Sequence, residues 1–372
     1  MVYIFRSLGR QAQGTQELQP TAIYGAEGPI RLRIATGGAG QTGVLKALAD
    51  AFIAFSASAS ETGPQAPFRI TWLATDTSLS FNALATKSAD LAITYHPYAA
   101  QIAVQQGIAL PPIYLWRDAF NLVGPTSNPA QLPTDGHPSI FELFALLFQS
   151  AVASADSPAP TRFLSRYDKS ANNILESRIW ATIGQTPWSE PYSPWYHKFN
   201  AFPKEALFEA ARKGEYTLVD RGTWISRKDQ PEMSSMTCFK EGAISWHEQP
   251  TDMKQGHVLN GDALGNPAHA LLSPHAQDRE LGKLFLKWML WTRGGQEVIR
   301  NFKVNGTPLH GLSPWVQTFF GGQSSTGSNE SSTQNLAHNC GQNAAATGPE
   351  HNRHGDQPIS AQCNIDSKYW II

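Results

Sequence analysis

Three glycines, Gly38, Gly40 and Gly43, lie between a strand-like run and a helix-like run of the sequence. The same GxGxxG spacing occurs in dinucleotide-binding turns, where the glycines let the backbone approach a pyrophosphate. Such a site also needs an acidic residue about 20 positions later, at the end of the second strand. Here the first acidic residue after that strand is Asp76, which lies beyond this distance. The sequence therefore disfavours nucleotide binding.

The same turn suits a small anion. A glycine-rich strand-to-helix turn exposes backbone N–H groups at the positive end of a helix dipole. Thr36 and Thr42 add hydroxyl donors beside it. We therefore predict Thr36, Gly38 and Thr42 as anion ligands, with tight packing of the glycines as the alternative.

Two later turns carry further candidate ligands. Thr77 and Ser78 follow a second strand-like run, where they either cap a helix or present hydroxyls to a ligand. Arg166 precedes a cap-like segment that contains Ser170. An arginine offers a rigid fork of N–H donors that matches an oxyanion, although a structural ion pair with Asp168 is the alternative.

A fourth polar turn begins at Asp220 and Arg221, directly after a buried-looking strand. Open α/β sheets bind ligands at the carboxyl ends of their strands. We expect these two residues to orient the ligand shell or to brace the wall between lobes. Asp220 is also a second possible partner for Arg166.

Strand and helix patterns alternate over nearly 300 residues. Strand-like runs are residues 30–35, 68–75, 91–95, 120–123, 217–219 and 270–272. Helix-like runs are residues 44–55, 79–87, 139–152, 171–183, 204–213 and 278–302. Short strands between longer helices are typical of an α/β fold with mostly parallel sheets. From Gly321 the sequence is rich in Gly, Ser, Asn and Gln, which predicts a disordered tail over 321–372.

The composition excludes several classes of function. The 372 residues carry a formal net charge of −1, so there is no overall attraction for nucleic acid. We find no metal-ligand spacing and no nucleophile–base pattern, so we expect no cofactor, no metal and no catalytic residue. His96 is the best single acid–base candidate, but its setting is typical of a loop histidine.

The cysteines and the N-terminus give weaker indications of compartment. Cys340 and Cys363 are close enough in sequence to pair in an oxidising compartment, which would leave Cys238 unpaired. The polar lead-in, residues 1–29, has no apolar core of the length that a signal peptide needs.

Five segments occur in the order found in one known family. In chain order they are SADLAITYHP (88–97), RDAFNLVGPTSNPA (117–130), FLSRYDKSANNILE (163–176), EYTLVDRGTW (215–224) and LFLKWMLWTRGGQEVIRNF (284–302). Together they resemble the tungstate-binding, oxyanion-type solute-binding proteins of ABC transporters. The resemblance covers roughly residues 30–315.

The resemblance implies a two-lobed type II periplasmic-binding-protein fold with a ligand cleft between the lobes. Lobe 1 would comprise residues 30–124 and 258–320, and lobe 2 residues 125–257. The implied function is capture of a small anion, such as tungstate or molybdate, by hinge closure of the lobes. It further implies a monomer that serves a membrane permease and is extracellular or periplasmic.

The first turn departs from the family pattern, because most of its expected hydroxyl groups are absent. Two alternatives therefore stay open: a receptor or interaction module that has lost oxyanion binding, and an enzyme on the same bilobal fold. A larger organic ligand is a variant of the binding hypothesis, with the cleft lined by Trp72, Trp116, Trp188, Tyr192, Trp195 and Tyr196.

Overall fold

The structure is a computed structural model that describes residues 19–58, 65–244 and 263–314. The predicted tail, Cys340 and Cys363 lie outside the described residues. The strands are β1 (Ala22–Tyr24), β2 (Ile30–Thr36), β3 (Arg69–Ala74), β4 (Leu91–Thr94), β5 (Ile113–Pro125), β6 (Phe163–Ser165), β7 (Tyr196–Lys198), β8 (Tyr216–Asp220), β9 (Met236–Glu241), β10 (Gly265–Leu272), β11 (Lys303–Val304), β12 (Thr307–Pro308) and β13 (Gly311–Leu312). The helices are α1 (Gly38–Gln41), α2 (Val44–Ser58), α3 (Thr77–Ala85), α4 (Pro97–Gln105), α5 (Ile140–Ala153), α6 (Ala171–Thr182), α7 (Pro203–Lys213), α8 (Arg221–Arg227), α9 (Arg279–Leu290) and α10 (Gly295–Asn301).

One long sheet has the strand order β1-β3-β2-β4-β10-β5-β8-β6-β7, and β9 and β13 also pair with β5. Strand β2 is parallel to β3 and β4, and β6 is parallel to β7 and β8. Strands β5 and β10, however, run antiparallel to every strand with which they pair. The expectation of mostly parallel sheets is therefore wrong. Strands β10 and β5 lie between the two groups of parallel strands and form only antiparallel pairs.

Strand β5 joins two halves of the molecule. Up to Ala119 it pairs with β10, and from Phe120 onwards it pairs with β8. Separate apolar cores lie on either side of this change, one around Phe52 and Trp116 and the other around Trp180. This arrangement is the predicted α/β architecture with two lobes. The exact lobe limits stay a prediction, and the predicted return crossing near residue 258 lies outside the described residues.

The helix predicted over residues 44–55 is present as α2, and one of its faces is apolar and buried. Val44, Leu45, Leu48 and Phe52 are fully buried at helical spacing. The ring of Phe52 lies 4.9 Å from that of Phe285 on α9. This contact packs α9 against α2 in the first half of the molecule.

The run 278–302, expected as one helix, is two. Helix α9 ends at Leu290, and Trp291 has an extended backbone. Helix α10 begins at Gly295, where a Cβ atom would lie 2.5 Å from the Cα of Met289. The glycine permits α10 to fold back closely on the end of α9, which one continuous helix could not do. No helix among the described residues is long and apolar enough to cross a membrane.

Candidate functional site

A cleft of about 390 Å³ lies where β5 changes partners. Both halves of the molecule contribute to its walls. The first half contributes Gly37, Gly38, Gln41, Ala74, Thr75, Asp76, Thr77, Leu79, Ser80, Ile93, Tyr95, Asp118 and Asn266. The second half contributes Phe120, Arg166, Asp168, Ser170, Ala171, Asn172, Asn200, Ala201, Phe202, Pro203 and Asp220.

The three glycines of the first turn have three different surroundings. Gly38 lines the cleft, and a Cβ atom there would meet only the Tyr95 hydroxyl at 4.0 Å. A Cβ atom on Gly40 would lie 2.0 Å from the indole ring of Trp72. Gly43 has a φ of 89°, in the left-handed region that favours glycine. Only Gly38 of the three therefore lines the cleft. The packing alternative holds for Gly40, whereas Gly43 supplies a backbone conformation.

The two predicted hydroxyl ligands of this turn do not line the cleft. Thr36 is fully buried, and its Oγ1 donates a hydrogen bond to the carbonyl of Ile93. The hydroxyl of Thr42 lies 3.4 Å from the carbonyl of Ala39, at the end of α1. Both hydroxyl groups are used within the fold, because Thr36 points into the sheet and Thr42 ends a helical turn.

The second turn is built around the N-terminus of α3. The carboxylate of Asp76 accepts a hydrogen bond of 2.7 Å from the Leu79 N–H and so caps the helix. Burial raises the pKa of Asp76 from its usual range. Thr77 lines the cleft, whereas Ser78 does not. The residue that caps α3 is therefore Asp76, and not Thr77 or Ser78 as expected.

The third turn brings Arg166 and Ser170 together. Arg166 forms an ion pair with Asp168 at 2.5 Å and donates from Nε to the Ala201 carbonyl at 3.0 Å. Ser170 caps α6 and donates its hydroxyl hydrogen to Asp168. Both residues line the cleft. Arg166 therefore forms the structural ion pair and also lines the cleft. Its contact with a ligand stays a prediction.

The backbone of this turn is unusual at Tyr167, which has a φ of 45°. Positive φ is uncommon for a residue with a side chain. The turn therefore adopts at Tyr167 a conformation that glycine usually supplies.

The fourth turn separates its two predicted residues. Asp220 lines the cleft and caps α8, accepting hydrogen bonds from the N–H and the hydroxyl of Thr223. Arg221 does not line the cleft, and its Nη1 donates to the Pro308 carbonyl at 2.8 Å. Because α8 follows β8 without a break, successive residues point to different sides. Asp220 thus supports the cleft and Arg221 connects the two halves.

Asp118, which lies in the cleft wall on β5, was not among the predicted site residues. Its side chain is buried, and its Oδ1 accepts a hydrogen bond from the Ala119 N–H. Burial, together with the nearby Asp220, raises the pKa of Asp118 to about 8. The sequence did indicate this residue, because Asp118 is acidic and lies in the mostly apolar segment 113–125. Burial of a carboxyl group is costly unless its surroundings compensate for it.

Glu176 on α6 is a second buried carboxyl group, outside the cleft wall. The Tyr196 hydroxyl donates a hydrogen bond of 2.7 Å to it. Burial raises the pKa of Glu176 to about 8, against the lowering effect of this hydrogen bond. Burial therefore favours its neutral form, and its hydrogen bond with Tyr196 connects α6 to β7.

His96, the acid–base candidate of the sequence, has a structural role. His96 accepts a hydrogen bond at Nδ1 from the Ala99 N–H and so caps α4, as expected of a loop histidine. The described residues hold no group of three or more His, Cys, Asp or Glu that could bind a metal ion. None of the six aromatic residues proposed for a larger ligand lines the cleft; they are Trp72, Trp116, Trp188, Tyr192, Trp195 and Tyr196.

Comparisons with known proteins agree with this architecture. A family model described as the PBP superfamily domain matches residues 18–292. A solved periplasmic protein, named as a candidate metal-binding protein, is 39% identical with a TM-score of 0.69. The match covers 79% of this chain and 99% of that one.

Two further matches are more distant. The tungstate-binding protein TupA from Desulfovibrio alaskensis G20 is 22% identical with a TM-score of 0.58, over 77% of this chain and 99% of that one. A candidate ABC transporter anion-binding protein from Haloferax volcanii is 29% identical over 196 residues, which are 51% of this chain. The matched part is 47% of that relative, so the chain spans about half its length.

Proposed function

Because the chain belongs to the PBP superfamily domain family, we propose that it is a solute-binding protein that captures a small oxyanion. Tungstate and molybdate are the first candidates, since a solved protein of the same fold is named for tungstate. We further propose that it acts without catalysis, as a monomer, and delivers its ligand to a membrane permease.

The observation that carries this proposal is the meeting of Arg166 with two helix N-termini in one cleft. The first-turn N–H groups of α3 and α6 have no acceptor within their own helices. They carry the positive end of the helix dipole and suit an anion. Thr77 from one half and Arg166, Ser170 and Ala171 from the other line the same cleft.

Only some of the N–H groups of Arg166 are bonded within the fold. Its side chain is 11% exposed, and it contacts Asp168 and the Ala201 carbonyl. Among the described residues, its Nη1 has no hydrogen-bond acceptor. A planar guanidinium with a spare N–H can bind an anion while it remains paired.

Lobe closure supplies the capture step. Strand β5 passes once from one half to the other, and the cleft walls come from both sides of that passage. Rotation about such a connection brings the α3 turn and the Arg166 turn onto one ligand and excludes water. Removal of water strengthens each hydrogen bond to the anion.

Titration calorimetry with tungstate, molybdate, sulfate and phosphate, each added alone, tests the proposal. We expect at least one of them to bind, and Arg166→Ala to weaken it by about 1.5–3 kcal/mol, or roughly 10- to 150-fold. A ligand at 100 times its Kd should also stabilise the fold by about 2.7 kcal/mol in thermal unfolding.

Arg212→Ala is the matched control, because Arg212 is an exposed arginine of α7 that pairs with Glu209. It should leave the Kd unchanged. Equal loss in both variants would contradict a role for Arg166 in binding. If no oxyanion binds the wild type, the interaction-module alternative gains. Release of a chemically changed product would instead favour an enzyme.

A further inference from the structure

Asp118 has a hydrogen-bonding position that the fold does not use. The residue is 6% exposed and lines the cleft. Its Oδ1 accepts the Ala119 N–H at 2.7 Å. Its Oδ2 accepts no hydrogen bond from the residues that the structure describes. A carboxyl oxygen in a cleft wall that is not bonded within the fold is placed to meet a ligand.

The groups around Asp118 favour its neutral form. Asp220 of β8 raises its pKa, whereas Arg221 of α8 lowers it by less. On the other sides are the uncharged Asn266 of β10, opposite it in register, and the buried phenol of Tyr95, which directly follows β4. With burial as the largest cause, the pKa of Asp118 stands at about 8.

The cleft already contains other carboxyl groups, so the charge state of Asp118 affects how strongly the cleft repels an anion. Arg166 and Asp168 form an ion pair, while Asp76 and Asp220 are carboxyl groups without a cationic partner in the described residues. A further negative charge on Asp118 would repel a dianion from the same small space. A neutral Asp118 would instead offer it an O–H donor.

We propose, building on the oxyanion-binding function, that Asp118 contacts the ligand and admits a fully deprotonated oxyanion only as a neutral acid. The proton remains on Oδ2 and is donated in a hydrogen bond to an oxygen of the anion. As a carboxylate, Asp118 excludes tungstate, molybdate and sulfate. Hydrogenphosphate differs, because its own P–OH group can donate to the carboxylate.

Two consequences separate this role from a structural one. Above about pH 8, binding of tungstate must take up one proton from the solvent, since Asp118 is ionised in the empty cleft and protonated in the complex. Discrimination between tungstate and hydrogenphosphate must also change with pH. A residue that only supports the sheet would cause neither effect.

The test is calorimetric titration of the wild type with sodium tungstate and with sodium phosphate at about pH 7 and pH 9. Measurement in two buffers of different ionisation enthalpy counts the protons taken up. We expect the Kd for tungstate to rise about tenfold over this range. The Kd for phosphate should change less, and close to one proton should enter with tungstate at the higher pH.

Asp118→Asn keeps an N–H donor at the same place and cannot ionise, so its tungstate affinity should not depend on pH. Glu176→Gln is the matched control, because the pKa of Glu176 is also raised to about 8 but the residue does not line the cleft. It should keep the wild-type pH dependence.

Tungstate binding with a constant Kd and no proton uptake in the wild type would overturn the inference but leave the proposed function intact. So would a pH dependence that survives in Asp118→Asn. Absence of binding by any oxyanion at either pH would instead reject the proposed function, and this inference with it.

Discussion

At the scale of single residues, the unusual groups are Asp118 and Glu176, two of the buried carboxyl groups. Each has its pKa raised to about 8 by burial. Only Asp118 lines the cleft. Burial of an ionisable group costs free energy when it must ionise, so both residues link the stability of the fold to pH.

The effect of Glu176 on stability has a definite sign. Its pKa in the folded state lies above that in the unfolded chain, so between these values the folded protein binds more protons. The free energy of unfolding therefore falls as pH rises towards about 8. Glu176→Gln should reduce this slope by up to about 1.4 kcal/mol per pH unit. Urea unfolding at about pH 5 and pH 8 measures it.

Glu209→Gln serves as the comparison. The Arg212 side chain lowers the pKa of Glu209, so this residue titrates only in more acidic solution. The variant should keep the wild-type slope over the same range. A Glu176→Gln protein with an unchanged slope would mean that Glu176 is ionised in the folded protein.

At the scale of elements, the N-termini of α3 and α6 line the cleft. A helix cap that lines the cleft can be compared with one that does not. Ser139 caps α5 in a reciprocal capping box with Glu142, away from the cleft. Ser170 caps α6 and lines the cleft. The two serines thus do the same structural work in different places.

Ser139→Ala and Ser170→Ala should each lower the free energy of unfolding by about 1 kcal/mol. Only Ser170→Ala should also weaken oxyanion binding, because it removes a hydroxyl from the cleft. Chemical denaturation and calorimetry on both variants provide the comparison. Equal affinity in the two variants would show that Ser170 is a cap and nothing more.

The short helix α1 offers a second test at this scale. Gly40→Ala would place a methyl group against the indole ring of Trp72, whose Nε1 donates to the Thr36 carbonyl. We expect a loss of about 1–3 kcal/mol in stability from this overpacking. Gly38→Ala meets open space and should leave stability nearly unchanged. Thermal unfolding distinguishes the two, and equal losses would contradict the packing described for this turn.

At the scale of the whole molecule, α8 contacts the first half of the chain as well as its own half. Arg221 donates to the Pro308 carbonyl, and the Asn305 side-chain amide donates to the Ile225 carbonyl at 3.0 Å. A Cβ atom on Gly222 would lie 2.9 Å from Cγ2 of Thr42. A side chain at Gly222 would therefore press against Thr42 of the other half.

Gly222→Ala should hold the two halves slightly apart and weaken oxyanion binding, with a smaller effect on stability. Thr42→Ser removes the opposing methyl group but keeps the hydroxyl group, so Gly222→Ala with Thr42→Ser should recover much of the affinity. Calorimetry on the two single variants and the double variant gives the coupling free energy. If the changes in binding free energy of the two single variants simply add in the double variant, contact between positions 222 and 42 is not the cause.

Local patterns in the sequence determined much of the architecture. The helical spacing of Val44, Leu45, Leu48 and Phe52 predicts α2, because burial of one apolar face favours that conformation over others. The ordered motifs from 88 to 224 identified the family and the turns that reach the cleft. These features depend on neighbours in sequence, so the sequence alone was sufficient.

Only the tertiary structure decided which polar groups are available. Thr36 and Arg221 belong to cleft-forming turns, yet both bond to backbone carbonyls elsewhere, at Ile93 and Pro308. Asp118 gains its raised pKa from burial and from Asp220, which is distant in sequence. Hydrogen-bond partners and desolvation depend on contacts between remote segments, and the spacing of residues along the chain does not contain them.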